Sequence, residues 1–398
     1  MKPLAGINVL DLSRVLAGPW CTQLLADLGA EVIKVERPGV GDDTRHWGPP
    51  WFGDGDERVA AYFLSCNRGK KSAAIDFGQA EGAALVRRLA QDADVVVENF
   101  KVGGLQKFGL DAASLRMANP RLVYASITGF GQDGPYADRA GYDYIIQGMG
   151  GLMSITGLPD GVPGGGPMRV GVAVVDLFTG MYTCVAILSA LYAREKTGEG
   201  AHVDMALFDA QLAMLANQAS NALVAGKDPA RQGNTHPNIV PYQVFDAADQ
   251  QIIVAVGNDR QFARLADICG HPEWTGDDRF ASNGARVANR DALVGLVSSV
   301  IRQRPAAEWL EELEAGGIPA GPINRISQAL ADVQAQHRQM VRMISGVPQV
   351  GSPVRLDGAR ADADLPPPAL GAHTGEVLER IGLGSGEIER LRTAQVIG

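Results

Sequence analysis

The sequence predicts an α/β protein in which a parallel sheet with helices on its faces takes up most of the chain and a smaller α+β domain follows. Three observations carry that expectation. Residues 1–130 alternate short β-branched runs with helix-like segments, the pattern of strands joined by crossover helices, which must lie parallel. The polar stretch Gly226–Pro241, with its glycines and prolines, reads as a linker, and new strand-like runs begin beyond it. A chain of 398 residues with 46% hydrophobic side chains has enough apolar surface to bury two domains or one elaborated domain.

In chain order, Ile7–Leu10 reads as a strand. Pro19–Leu28 reads as a helix, with proline near the first turn, where its missing N–H costs nothing, and Gly29 as the stop. Glu31–Val35 completes a βαβ unit. The alternation continues with a strand at Ala73–Ile75, a helix over Ala80–Ala90, a strand at Val95–Val97 and another at Leu122–Ile127, which runs into the glycine-punctuated loop Gly129–Gly134. Residues 141–166 are rich in glycine and proline and lead to an apolar helix from about Leu177 to Tyr192. Helical residues resume from Met205 to Ala225. Beyond the linker, Val244–Phe245 and Ile252–Val256 suggest strands of the smaller domain, which extends to Pro322. The tail is expected to have helical segments around 325–343, an extended stretch at Ser352–Leu356, a turn at Pro366–Pro368 and a final helix near Glu376–Ile381.

Composition excludes some functions. A net charge of −9 argues against nucleic-acid binding, because phosphate neutralisation needs a broad basic surface. Cys21, Cys66, Cys184 and Cys269 are scattered without CxxC spacing and read as reduced core thiols of a cytoplasmic protein. Asp11 and Arg14 interrupt the N-terminal apolar run before a signal-peptide core forms. Between Arg169 and Arg194 the one charged residue is Asp176, a stretch that approaches spanning length. Gly171, Asp176, Thr179 and Gly180 break its front half and no second span exists, so it reads as a buried helix rather than a membrane anchor.

Ligands of parallel sheets bind at the carboxyl ends of the strands, here Leu10–Gly18, Val35–Arg37, Asp76–Gly78, Glu98–Lys101 and Thr128–Gly131. Asp176 is the sharpest chemical signal. A lone carboxylate in so long an uncharged stretch is costly unless it is hydrogen-bonded, paired or used. Directly before a helix starting near Leu177 it reads either as a structural cap, accepting free N–H groups, or as a nucleophile kept charged by them. The cluster Asn67-Arg68-Gly69-Lys70-Lys71-Ser72 reads as a phosphate-binding turn or a solvated surface turn. Arg37, beyond the second strand, reads as an adenosine or phosphate contact or as a surface ion-pair partner. Glu36 stands where nicotinamide-binding folds place a ribose-binding acid, but the turn Ser13-Arg14-Val15-Leu16-Ala17-Gly18-Pro19 lacks GxGxxG. No Walker loop, HExxH spacing or GxSxG elbow appears, so neither a bound nucleotide cofactor nor a metal is expected.

Taken together and in order, several pieces resemble the class III CoA-transferases, a family that also includes 2-methylacyl-CoA racemases. They are Val9-Leu10-Asp11 with Ala17-Gly18-Pro19, Leu28 through Glu36, Asn67 to Ser72, Val97-Glu98-Asn99-Phe100, Gly141-Tyr142-Asp143, Asp176 with Thr179-Gly180, Pro241-Tyr242, and Gly317 to Pro322. The resemblance implies a Rossmann-like large domain over 1–225 and 323–398, a linker and small α+β domain over 226–322, and two chains interlocked like rings in a homodimer. It implies that Asp176 is the nucleophile and that coenzyme A, a substrate rather than a resident cofactor, contacts Leu16, Ala17, Arg37, Ile75, Asp76, Phe77, Gly78, Asn99, Phe100, Lys101, Lys107, Arg139 and Tyr142. Lys107 stands where some members have arginine, and Leu16 replaces the glutamine of formyl-CoA transferase, which counts against oxalate and formyl specificity.

By the same resemblance, Asp176 attacks an acyl-CoA, passes through a mixed anhydride to an aspartyl-CoA thioester, and yields CoA to an acceptor acid. Glycine loops at Gly129–Gly134 or Gly148–Gly151 are candidate oxyanion donors, and Asp143 is either an orienting residue or a loop cap. A racemase of this family places histidine where Tyr142 stands, which favours transfer; a CoA-binding protein without catalysis is the other alternative. Arg169, seven residues before Asp176 and beyond the loop Gly164 to Met168, reads as a bidentate partner for the distal carboxylate of a small dicarboxylate such as succinate or glutarate, or as a structural arginine.

Overall fold

The computed structural model describes residues 2–55 and 58–398. Two compact units emerge, one formed by Met1–Leu152, Arg169–Lys227 and Val333–Gly398, the other by Met153–Met168 and Asp228–Asp332. Residues 153–168, placed by sequence in the larger domain, belong to the smaller unit. So do residues 323–332.

The larger unit is built on a six-stranded sheet of β1 (Asn8–Asp11), β2 (Glu31–Glu36), β3 (Lys70–Ala74), β4 (Val95–Glu98), β5 (Val123–Thr128) and β6 (His202–Ala206). Every neighbouring pair is parallel and the spatial order is β3-β2-β1-β4-β5-β6. This is a doubly wound sheet whose order reverses between β1 and β4, so the loops after those two strands diverge and leave a crevice. Strand β6 is a finding the sequence reading missed, having taken Met205 as the start of a helix. Its exposed and half-buried residues give an edge strand with too little apolar character to be recognised.

Helix α1 (Ala17–Asp27) crosses from β1 to β2, α2 (Ala80–Gln91) from β3 to β4, and α3 (Ala112–Ala118) from β4 to β5. The central strands are buried on both faces, which explains their unbroken valine and isoleucine runs. After β5 come α4 (Asp143–Met149) and the 24-residue α5 (Val174–Thr197), then α6 (Leu207–Met214) and α7 (Ala216–Ala225) after β6. Helix α5 is long and apolar enough to cross a membrane, yet its Val175, Cys184, Ile187 and Leu191 pack with α1 and the sheet in one core. Gly180 permits that packing, because a Cβ there would stand 2.6 Å from the Ala17 carbonyl oxygen of α1.

The smaller unit has an antiparallel sheet of β7 (Tyr242–Asp246), β8 (Gln251–Ala255) and β9 (Ala320–Pro322), in the order β9-β8-β7. Helices α8 (Asp259–Ile268), α9 (Arg290–Ile301) and α10 (Ala306–Ala315) complete it around Phe245, Phe262, Phe280 and Trp309. The tail then returns to the larger unit. The helical segments expected around 325–343 are two short pieces, Ile326–Leu330 and Val333–His337, while the end of that range is a strand, Val341–Ile344, that pairs with Val347–Val350 in a hairpin. Helices α11 (Thr374–Arg380) and α12 (Ser385–Thr393) bury Leu378, Ile388 and Leu391 in the same core as Leu10 and Ile75. The last residues dock beside β3, where Asp76 N–H donates to the Val396 carbonyl and Gly398 N–H to that of Ala74.

Candidate active site

Two adjoining clefts open at the carboxyl ends of the strands where the sheet order reverses. One, of about 210 Å³, is lined by Leu16 and Ala17 after β1, by Asn99, Phe100 and Lys101 after β4, by Arg139 and Tyr142, and by Asp176. The other, of about 320 Å³, is lined by Arg37 after β2 and by Ile75, Asp76, Phe77 and Gly78 after β3. Arg14, Asp43 and Phe100 line both. Most of the residues named from the sequence are thus brought together by the topology alone. Lys107 lines neither cleft; it lies over the Phe108 ring, which packs on Phe77, itself packed on Phe100. Arg14 and Asp43 were not foreseen. Neither carried a signal beyond its place after a strand.

The floor of the first cleft requires glycine. Gly129, after β5, and Gly141 cross so closely that a Cβ on Gly129 would stand 2.6 Å from the Gly141 Cα. That crossing sets Tyr142 and α4 against the end of the sheet.

Asp176 lies in the first turn of α5, at its third residue, and the residue before the helix is Ala173. The expected capping role therefore falls to another carboxylate. Asp143, buried at the start of α4, accepts the Val175 N–H at 2.8 Å and the Asp176 N–H at 3.4 Å. Its second oxygen accepts Gln147 Nε2 at 2.7 Å, and Gln147 Oε1 accepts the Val170 N–H at 2.9 Å. Gln147 is fully buried and was missed, since a glutamine one turn beyond an aspartate looks like ordinary helix surface. With the free N–H groups taken by Asp143, the carboxyl of Asp176 has none of the stabilisation expected for its charged form. Burial first, and then the negative charge of Asp143, push it up to about 7. The Tyr62 phenol is also raised, by burial and then by the charges of Asp176 and other groups including Asp143.

The basic cluster at 67–72 is neither phosphate site nor solvated turn. Arg68 is buried against Asp27, at 2.9 Å from Nε to Oδ1, and Lys70 Nζ bonds Asp11, Asn67 and the Pro19 carbonyl. Glu36 is consumed internally by Arg45 and Ser72. Arg37, by contrast, is exposed in its cleft and pairs with no carboxylate among the described residues. Arg169 is exposed too, with its guanidinium 5.7 Å from the Tyr144 ring centre, and lies outside the cleft lining. Among the described residues no three His, Cys, Asp or Glu side chains gather as a metal site.

The site thus sits where a doubly wound sheet reverses its strand order, with the Asp176 carboxyl in the cleft, and the chain belongs to CoA-transferase family III, which it matches over residues 4–374. It is a CoA-transferase that uses CoA thioesters as substrates. It is 50% identical to the succinate–glutarate CoA-transferase of Agrobacterium fabrum, over 95% of this chain and 96% of that one. The succinyl-CoA:glutarate CoA-transferase of Mus musculus is 42% identical, over 100% of this chain and 91% of the relative. The crystal structure of a CaiB/BaiF family protein from Brucella suis superposes with a TM-score of 0.85 at 52% identity, over 96% of this chain and 99% of that one.

Proposed function

We propose that the enzyme moves CoA between succinyl-CoA and a small dicarboxylate such as glutarate, with Asp176 as the covalent carrier. The observation that carries this reading is a half-buried carboxyl at the switch-point cleft that forms no ion pair among the described residues, raised to about 7 and so more basic than a free carboxylate. The Asp176 carboxylate attacks the thioester carbonyl; the C–S bond breaks and a mixed anhydride forms with CoA thiolate. The thiolate attacks the aspartyl carbonyl, releases the donor acid and leaves an aspartyl-CoA thioester. The acceptor carboxylate attacks that thioester, expelling thiolate again, and the thiolate takes the acceptor's carbonyl from the second anhydride. Asp176 is returned as carboxylate, with no proton or water consumed.

CoA then lies along both clefts, its adenosine end toward Arg37 and Ile75–Gly78 and its thiol end past Phe100 toward Asp176. Lys101 and Arg139 supply positive charge along the first cleft. Asp143 orients the α5 first turn that presents Asp176. Arg169 meets the acceptor's distal carboxylate. Two relatives whose names specify glutarate support a dicarboxylate acceptor. The protein acts as a homodimer, interlocked as its family resemblance implies. Exposed Met181, Val185 and Tyr192 on α5, and an apolar cavity of about 910 Å³ beside them, supply surface for a second copy. Four buried, unpaired thiols suit the cytoplasm.

The decisive experiment treats the enzyme with succinyl-CoA and hydroxylamine. A modified Asp176 peptide by mass spectrometry, together with loss of succinyl-CoA:glutarate exchange in Asp176→Ala, is the expected result. Exchange of α-deuterium without transfer would show an isomerase instead.

A further inference from the structure

Four residues beyond β1 the chain takes a turn that an unaided valine avoids. Val15 has φ of 72°, and it is the β-branched residue among the non-glycine positions of positive φ. In the left-handed region a branched Cβ crowds its own backbone, so the conformation persists where surrounding groups impose it.

Here they impose it group by group. The Ser13 N–H donates to Asp11 Oδ1 at 2.9 Å and the Ser13 carbonyl accepts Lys34 Nζ at 2.8 Å. Arg14 is clasped on both sides by the amide of Asn99, its N–H at 2.9 Å and its carbonyl at 2.7 Å. The Val15 N–H divides between the two carboxylate oxygens of Asp42, at 3.3 and 3.2 Å, and its carbonyl accepts the Cys66 thiol at 3.6 Å. Every N–H and C=O from Ser13 to Val15 is therefore held by a side chain. Behind them Lys34 Nζ and Asp42 Oδ2 meet at 2.9 Å, with both side chains fully buried.

A buried ion pair is an inefficient source of stability, since apolar residues of similar size serve as well. What apolar residues lack is an acceptor for the Val15 N–H and a donor for the Ser13 carbonyl. The loop so held borders the reaction: Arg14 lines both clefts, and Val15 lines the one that contains Asp176. The geometry points to Asp42, backed by Lys34, as a positioning residue for acyl transfer, which fixes the Val15 peptide in its left-handed conformation and with it the wall facing Asp176. The inference rests on the reading of Asp176 as the carrier.

The test compares Asp42→Asn, Lys34→Met/Asp42→Leu and Asp42→Asn/Val15→Gly with the parent enzyme and Asp176→Ala, in the succinyl-CoA:glutarate exchange assay, with thermal melts to establish folding. In the folded Asp42 variants kcat is expected to fall at least tenfold while KM for succinyl-CoA moves less than threefold, because Arg37 and Ile75–Gly78, the proposed adenosine contacts, are unchanged, although Asp42 and Lys34 border the same cleft. Val15→Gly should restore kcat at least threefold in the Asp42→Asn background, since glycine adopts positive φ unaided. If Asp42→Asn does not fold, the Lys34→Met/Asp42→Leu pair, which removes both members of the ion pair together, decides by the same numbers. Parent-like kcat in a folded Asp42 variant, with Asp176→Ala inactive, overturns the positioning role alone. Turnover by Asp176→Ala overturns the carrier reading beneath it.

Discussion

Replacing Asp143 by asparagine should separate the two causes that raise Asp176. Asp176 must be ionised to attack, so kcat/KM is expected to rise with pH, reach half its plateau near pH 7 and level off above. Burial is the larger cause and the Asp143 charge the lesser. The carboxyl moves from 3.8 to about 7, and the lesser of two causes accounts for under half of that distance. Asp143→Asn keeps an oxygen for the Val175 N–H and removes the charge. The acid limb should therefore shift by about one pH unit toward acid, roughly 1.4 kcal/mol between the two ionisation states. The asparagine amide would face Gln147 Nε2, a donor against a donor, at a cost of about 1–3 kcal/mol of stability that leaves the sign of the titration unchanged. The assay is succinyl-CoA:glutarate exchange from pH 5.5 to 9. Glu98, buried at the end of β4 and also pushed up to about 7, requires a control. Glu98→Gln should retain the shift that Asp143→Asn produces. A limb that stays in place, or moves alkaline, would refute the electrostatic coupling of the two carboxyls.

Three further outcomes are expected. Because the folded state raises the Asp176 pKa, it binds the extra proton between about pH 4 and 7, and its stability falls as pH rises through that window. Asp176→Asn, relative to the parent, should gain up to about 4 kcal/mol in denaturant melts between pH 4 and pH 8. Arg37→Ala should raise KM for the CoA donor about tenfold or more with kcat nearly unchanged, since its contact is remote from the reacting carbonyl; an unchanged KM would leave Arg37 a surface charge. Arg169→Met should raise KM for glutarate about tenfold while sparing a monocarboxylate acceptor, and if Arg139→Met does so instead, the distal carboxylate belongs to Arg139.

The parallel framework was legible because strands buried on both faces carry continuous valine and isoleucine runs and because Pro19 and Gly29 punctuate the first crossover. The edge strand His202–Ala206 was not, since an exposed edge relaxes that pattern. Asp176 stood out because its neighbours in sequence are apolar. Its capping role was misassigned because the capping group, Asp143, comes from another helix, and no local spacing links residues 143 and 175. The basic cluster at 67–72 misled for the same reason: Asp11 and Asp27, which neutralise Lys70 and Arg68, are distant in sequence. Linear patterns report what a residue is; the partners that determine its charge state are long-range.

That long-range arrangement gives Asp176 an unusual balance. Its anion is held where burial and a like charge both oppose it, a penalty of roughly 1.4 kcal/mol for each pH unit of displacement. Acylation removes the charge, whether to anhydride or to thioester, and so releases that penalty at the step where the covalent intermediate forms. The penalty thus works for the reaction above pH 7 and against it below, where the carboxyl is protonated. Asp143→Asn should accordingly do two opposite things at once. It should extend activity toward acid, and above pH 8 it should lower the rate at which succinyl-CoA acylates Asp176 by up to about tenfold, the equivalent of about 1.4 kcal/mol of lost relief if all of it is expressed in the transition state. Single-turnover labelling at pH 8.5 reads that rate directly. An acid-shifted limb with an unchanged or faster acylation rate would mean that Asp143 sets the ionisation of Asp176 and contributes nothing to its reactivity.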